Sequence, residues 1–170
     1  MTLPRPESAT DIAAIHTLHA ACFPSDAEAR LVDALRAAGR LSLSLVVEID
    51  GAVVGHVAMS PVTAGPIAAV HVGSGLAPLA VADEHRRKGL GATLVKSSLA
   101  ACRDAGFGWA VVLGEPEYYG RFGFRPAAAF GLVDEYGGGD AFQAIELVPG
   151  GLPIGAGLVR YADEFSVFGE

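Results

Sequence analysis

Apolar residues in the first forty positions recur every three or four places and then give way to continuous apolar runs, so the chain opens with helices and continues into strands. Ser8-Ala9-Thr10-Asp11 supplies N-cap residues, and Ile12, Ile15, His16, His19 and Cys22 follow at near-helical spacing until Pro24 stops the run. Ser25-Asp26-Ala27-Glu28 has capping-box form, after which Ala29, Val32, Leu35 and Arg36 carry a second helix to a Gly39 terminator. Leu43 to Ile49 and Ala52 to Met59 are β-rich runs separated by Asp50-Gly51, a strong hairpin signal that predicts an antiparallel pair. A loop is expected around Pro61 to Pro66. The next strand ends in Leu76 to Val81, where Pro78 cannot donate a ladder hydrogen bond and predicts a bulge or splay.

The main helix is expected from about Gly89 to Ala105, with Val95, Leu99 and Cys102 on its inward stripe and Gly106 ending it. Trp109 to Leu113 then returns as a strand parallel to the preceding one. A strand-helix-strand unit of this kind leaves the helix N-terminus at the strand's carboxyl end, where ligands gather. A short helix holds Tyr118 and Tyr119, Gly137-Gly138-Gly139 marks a mobile loop, and Ala141 to Val148 and Ala156 to Tyr161 supply further strands. The pattern holds no repeat or linker and describes one α/β domain over residues 1–170, a mixed central sheet with flanking helices.

With 51% hydrophobic and 18% charged residues the chain has ample material for one core, which excludes intrinsic disorder. A net charge of −7 argues against a nucleic-acid surface; it fits a cationic amine substrate, and plain solubility is the reading put first. Cys22 and Cys102 belong to no metal or redox spacing and read as reduced core residues. His16 and His19 share a helix face but lack a third ligand, so partial burial is expected and no metal. The N-terminus has no continuous apolar segment of the secretory kind, which leads to the expectation of a cytoplasmic chain. From Ala52 to Ala82 there is no Asp, Glu, Lys or Arg, yet Gly55, Pro61, Gly65, Pro66, Gly73, Gly75 and Pro78 interrupt the stretch; buried strands explain it better than a membrane span.

The candidate chemistry begins at Leu79-Ala80-Val81-Ala82-Asp83-Glu84-His85-Arg86-Arg87-Lys88-Gly89-Leu90-Gly91-Ala92-Thr93, a strand, a basic glycine-containing turn and a helix start in immediate succession. A helix N-terminus leaves backbone N–H groups unpaired and carries partial positive charge, so it binds phosphate oxygens. Gly89 and Gly91 permit close approach, and Arg86, Arg87 and Lys88 add full charges. Neither the nucleotide-triphosphate loop nor the three-glycine dinucleotide fingerprint is present.

What remains, Arg-x-x-Gly-x-Gly/Ala before a long helix, resembles the pyrophosphate loop of the GNAT superfamily, the acetyl-CoA-dependent N-acetyltransferases. A second patch, Glu115-Pro116-Glu117-Tyr118-Tyr119-Gly120-Arg121-Phe122-Gly123-Phe124, resembles that superfamily's Tyr-x-Lys/Arg-x-Gly-Phe signature. The stretch from Phe124 through Phe142-Gln143-Ala144-Ile145-Glu146-Leu147 is similar to a bacterial subgroup of predicted acetyltransferases. The resemblance implies a GNAT-like mixed sheet splayed between two parallel strands, with the pantetheine arm of the cofactor in the gap. It also implies that the first two helices wall the acceptor side. Backbone groups of Leu79, Ala80 and Val81 would then bind the pantetheine and acetyl carbonyl, and the amides from Arg87 to Ala92 would surround the pyrophosphate, with acetyl-CoA as co-substrate.

Acetyl transfer to an amine needs a polarised carbonyl, a deprotonated amine and a stabilised thiolate. Tyr119 stands where the superfamily places a phenol near the cofactor sulfur, and an unionised phenol can protonate a thiolate, so it is the expected general acid; Tyr118 reads as packing. Glu115, His56, His71 or a water chain could serve as base. The resemblance departs at Val112, where many members carry an Asn. The expected activity is acetylation of a primary amine by direct attack in a ternary complex. Transfer of a longer acyl group, or a non-catalytic CoA-binding module, stays open. The acceptor is a small molecule or peptide, no nucleic acid or membrane partner is expected, and the chain is a monomer or homodimer.

Overall fold

The computed structural model describes residues 3–66 and 70–168. In chain order the elements are β1 (Arg5–Pro6), α1 (Ile12–Cys22), α2 (Ala27–Ala37), β2 (Leu43–Ile49), β3 (Ala52–Ala64), β4 (His71–Val81), α3 (Leu90–Asp104), β5 (Trp109–Leu113), α4 (Pro116–Gly120), β6 (Arg125–Pro126), β7 (Leu132–Asp134), β8 (Phe142–Glu146) and β9 (Gly157–Arg160). The class is mixed α/β. Strands hydrogen-bond in the order β1-β2-β3-β4-β5-β8-β6, with β9 beside β3 and β7 beside β9. The β4–β5 and β7–β9 pairs are parallel, and β2–β3, β5–β8 and β6–β8 are antiparallel. Two compact units are formed, one of residues 1–59, 78–98 and 163–170, the other of residues 60–77 and 99–162.

In the first unit the helices form because their apolar positions share a face. Ile15 of α1, Val32 of α2, Val46 of β2 and Ala58 of β3 make one buried cluster, with Leu41 and Val53 packed against it. Each fully buried aliphatic side chain of this size contributes about 1.5–3 kcal/mol. The Asp50-Gly51 turn forms as expected: both residues have positive φ, 52° and 80°, the conformation of the tight hairpin turns that follow strand twist. It sets the register from Ile49↔Ala52 to Leu43↔Met59, with one irregularity between Val47 and Glu48.

Two local expectations fail, the first for a local reason and the second for a tertiary one. The capping box at Ser25 to Glu28 does not form; Asp26 instead pairs with Arg30 at 3.0 Å, and the Ser25 hydroxyl accepts the Ala27 N–H at 3.2 Å. The loop expected from Pro61 is strand, since β3 runs to Ala64. Pro61 falls beyond the last pairing with β2, at Met59, and before the first with β9, at Thr63, so neither ladder calls on its missing N–H.

In the second unit β5 is buried on both faces, and its ladder with β4 is parallel as the sequence predicts. That ladder stops at Leu76↔Val112, although β4 runs on to Val81. β5 ends at Leu113, one residue past that pair, and Pro78, two residues past it on β4, has no N–H with which to extend a ladder. Gly137 to Gly139 is more ordered in its bonding than a free loop: the Asp134 carboxylate accepts the Gly138 N–H at 2.9 Å, and Gly139–Ala141 forms a helical turn. The short strands β1, β6 and β7 have no periodic signal in sequence.

Among the described residues no helix is long and apolar enough to cross a membrane, and no group of three or more His, Cys, Asp or Glu is arranged to hold a metal ion. Cys102 is buried and Cys22 half-buried; neither is in a disulfide.

Candidate active site

In the first unit β4 ends at Val81, a short helical turn covers Asp83–His85, and α3 begins at Leu90. Between them the backbone turns through two left-handed residues, Arg87 at φ 64° and Gly89 at φ 78°. The turn is closed by Thr93, whose N–H and hydroxyl both donate to the Gly89 carbonyl, at 3.0 and 2.9 Å. No acceptor among the described residues takes the amides of Arg87, Lys88, Gly89, Leu90, Gly91 or Ala92. Six successive N–H groups at one helix end are therefore left without an acceptor, where the peptide dipoles already favour an anion. Arg86 is built into the frame: its Nε donates to the Val81 carbonyl at 3.1 Å and its guanidinium pairs with Asp83 at 3.0 Å. Arg87 and Lys88 are exposed and have no ion partner among the described residues. Thr93 was missed by sequence reasoning, although a hydroxyl four residues after the glycine is a recognisable closing signal.

Ala80 is buried, and Leu79 and Val81 are half-buried. The Ala82 N–H donates to the Val54 carbonyl, so by strand alternation Val81 points away from β3. Its carbonyl is occupied, by Arg86 and by Cys22 Sγ at 3.4 Å. A cavity of about 570 Å³ in this unit is lined by α1, including Leu18 and Cys22, and by the carboxylates of Glu48, Asp83 and Glu84.

In the second unit α4 starts with Pro116 at its first position, where a missing N–H costs nothing, and carries Tyr118 and Tyr119. The Tyr119 ring packs edge-on against Phe124 at 5.8 Å and Tyr118 at 5.0 Å. Its hydroxyl has no hydrogen-bond partner among the described residues, and burial, with Tyr118 beside it, pushes its pKa up to about 12. Gly114 makes room for the ring: a Cβ there would stand 2.4 Å from Tyr119 Cε2. Arg121 lies over the Tyr118 face at 4.6 Å, which accounts for Tyr118 as packing. At Val112, where an Asn was expected by resemblance, the side chain is buried opposite Gln143, whose amide donates to the Gly114 and Ala141 carbonyls at 3.2 and 3.3 Å. Glu115 and His71 are both exposed.

His56, the third candidate base, is wholly buried, and so is His19, for which only partial burial was expected. The two rings meet edge to face, with His19 Nε2 and His56 Nδ1 2.8 Å apart. His56 Nε2 lies 2.8 Å from Ser44 Oγ, and Ser44 donates to Glu7, which Arg36 holds through two bonds of 2.8 and 2.9 Å. Arg36 continues to Asp33 at 3.3 Å, and Asp33 to His16 Nδ1 at 2.6 Å. Burial lowers the pKa of both buried histidines, His19 to about 4. The Arg36 fork and the Ser44 hydroxyl, working against burial, hold the Glu7 carboxyl below its ordinary value. This network joins residues as far apart as Glu7 and His56, so no local pattern could have shown it.

A family model described as the acetyltransferase (GNAT) family matches residues 12–124. The uncharacterized N-acetyltransferase YhbS of Escherichia coli strain K12 is 40% identical over 166 residues, 96% of this chain and 98% of that protein. The crystal structure of YhbS from Escherichia coli in complex with CoA superposes with a TM-score of 0.90 at 40% identity, covering 97% of this chain and 92% of that one. A GNAT family acetyltransferase from Brucella melitensis in complex with acetyl-CoA gives a TM-score of 0.79 at 36% identity, covering 97% and 98%.

Two predictions follow from the packing of these groups. Gly114→Ala is expected to displace the Tyr119 ring and destabilise the fold by about 1–3 kcal/mol, read as a lower midpoint in chemical unfolding; an unchanged midpoint would contradict the contact. The buried histidines are neutral in the fold and protonate near pH 6.5 when unfolded. Their contribution is therefore present above about pH 6.5 and lost as pH falls toward 4, by on the order of 2 kcal/mol, a window above that of the depressed Glu7 carboxyl. Urea unfolding across that range checks it, and His19→Gln should flatten the slope.

Proposed function

This chain belongs to the GNAT acetyltransferase family, and from that premise we propose that it moves an acetyl group from acetyl-CoA to a primary amine by direct attack in a ternary complex. The observation that carries the reading is the set of six unpaired amides from Arg87 to Ala92, which suits a diphosphate. Arg87 and Lys88 add charge, Arg86 holds the frame, and the N–H of Val81 with the backbone groups of Leu79 and Ala80 serves the pantetheine arm. Bound there, acetyl-CoA supplies the acyl donor and the thiolate leaving group.

Tyr119 is the proposed general acid. With its pKa raised to about 12 it stays protonated at neutral pH, and its hydroxyl is not committed to a protein acceptor. An ammonium acceptor is supported by the acidic lining of the 570 Å³ cavity: Arg5 holds Asp11 and Glu48, Arg86 holds Asp83, and Glu84 is left without an ion pair among the described residues.

Release of free thiol from acetyl-CoA with a panel of amines tests the activity. Tyr119→Phe is expected to lower kcat about a hundredfold while leaving CoA-dependent thermal stabilisation intact; an undiminished kcat rejects the acid. Gly89→Asp has open space for its side chain and incurs a backbone cost of about 1 kcal/mol, so it should fold yet lose stabilisation by CoA. A wild-type shift in that variant rejects the loop. Stabilisation by CoA with no amine-dependent thiol release would mark a binding module instead.

A further inference from the structure

Acylation of an alkyl ammonium releases a proton, and among the described residues neither Glu115 nor His71 is held by a network that would carry it. The buried chain from His19 to Glu7 has the required polarity. Glu7, paired with the Arg36 fork, is a carboxylate and can only accept, so the Ser44 hydroxyl proton points at Glu7. Ser44 Oγ must then accept from His56, which places a proton on His56 Nε2. A neutral His56 has a bare Nδ1, which accepts from His19 Nε2–H. A neutral His19 is left with a bare Nδ1, and that atom is buried without a hydrogen-bond partner. Every donor in the chain points the same way, and its one uncommitted end is a basic lone pair.

The helix that carries His19 touches the proposed cofactor strand one turn further on. His19 and Cys22 are three residues apart on α1, hence on one face, and Cys22 Sγ is 3.4 Å from the Val81 carbonyl. We infer that His19, His56, Ser44 and Glu7 form a proton relay that takes up the acceptor amine's proton at His19 Nδ1 and delivers one to Glu7. The inference rests on the acetyltransferase reading above.

The transfer balances. A proton enters at His19 Nδ1, the Nε2 proton of His19 passes to His56 Nδ1, the Nε2 proton of His56 passes to Ser44 Oγ, and the Ser44 proton passes to the Glu7 carboxylate. Both rings end neutral in the other tautomer, Ser44 is again a hydroxyl, and Glu7 is a carboxylic acid that returns its proton to solvent past Arg36. No imidazolium accumulates, which matters because burial makes that charge expensive. The charged and titratable groups around the relay are His16, Asp33 and Arg36, with Asp11 acting on Glu7, and Arg36 with Asp33 and His16 forms the outward continuation.

Two measurements test this. Nitrogen-15 spectra of the labelled full chain without ligand should show His19 and His56 both neutral with the proton on Nε2 at about pH 7; an Nδ1–H tautomer or an imidazolium at either ring overturns the relay whatever the activity. With acetyl-CoA and an amine panel of spermidine, an aminoglycoside, an amino acid and a Lys peptide, Ser44→Ala should lower kcat about tenfold or more at unchanged KM for acetyl-CoA. The loss should shrink as pH rises from about 6 to about 9, and Ser44→Thr should restore the rate. Wild-type kcat in Ser44→Ala across that range overturns the relay and leaves the transferase reading standing. A wild type that turns over no amine fails the transferase reading and with it the relay's role, while the spectra still judge its polarity separately.

Discussion

Six main-chain N–H groups at the start of α3 have no acceptor in the protein, and the surrounding structure exists to keep them so. An ordinary helix start would satisfy some of them with a capping side chain. Here no side chain among the described residues caps those donors, and the first turn is held by the Thr93 N–H and hydroxyl on the Gly89 carbonyl. Arg86, the first cation of the basic run, does not add to the free charge at this turn. It ties the turn to Val81 and Asp83, and leaves Arg87 and Lys88 as the mobile charges. Backbone donors held this rigidly need no reorganisation when an anion arrives.

The same economy of charge governs the acid and base sides of the proposed reaction. Tyr119 is kept unionised by burial, and the two histidines are kept neutral by burial. In the histidine network the charges of Glu7 and Arg36 cancel in a two-bond fork, with the Asp33 carboxylate on the far side of Arg36. Such a network moves protons without storing charge in the core, and its directionality follows from Glu7 being able only to accept.

Much of the fold was legible because its signals are local. Asp50-Gly51 forms its turn, Pro24 ends α1, Gly106 follows α3, and Pro78 marks where the β4–β5 ladder ends. Pro61 misled because a strand tolerates proline wherever no partner faces its nitrogen, and partners are a tertiary fact. The capping box at Ser25 misled because Asp26 found Arg30 instead. In the site, the turn from Arg86 to Ala92 was readable as a contiguous motif. The seat of Tyr119 on Gly114 and the pairing of His19 with His56, 37 residues apart, were not.

The order of residues alone determined a turn between a strand and a helix that leaves amides unpaired, since unpaired amides and aligned dipoles are properties of adjacent peptides. It also determined a phenol on a short proline-started helix. Only the tertiary structure decided that His19 and His56 are neutral, which ring nitrogen is bare, and that Val81 has spent its carbonyl on Cys22 and Arg86. Burial and hydrogen-bond polarity depend on what packs around a group, and distant segments of the chain supply that packing.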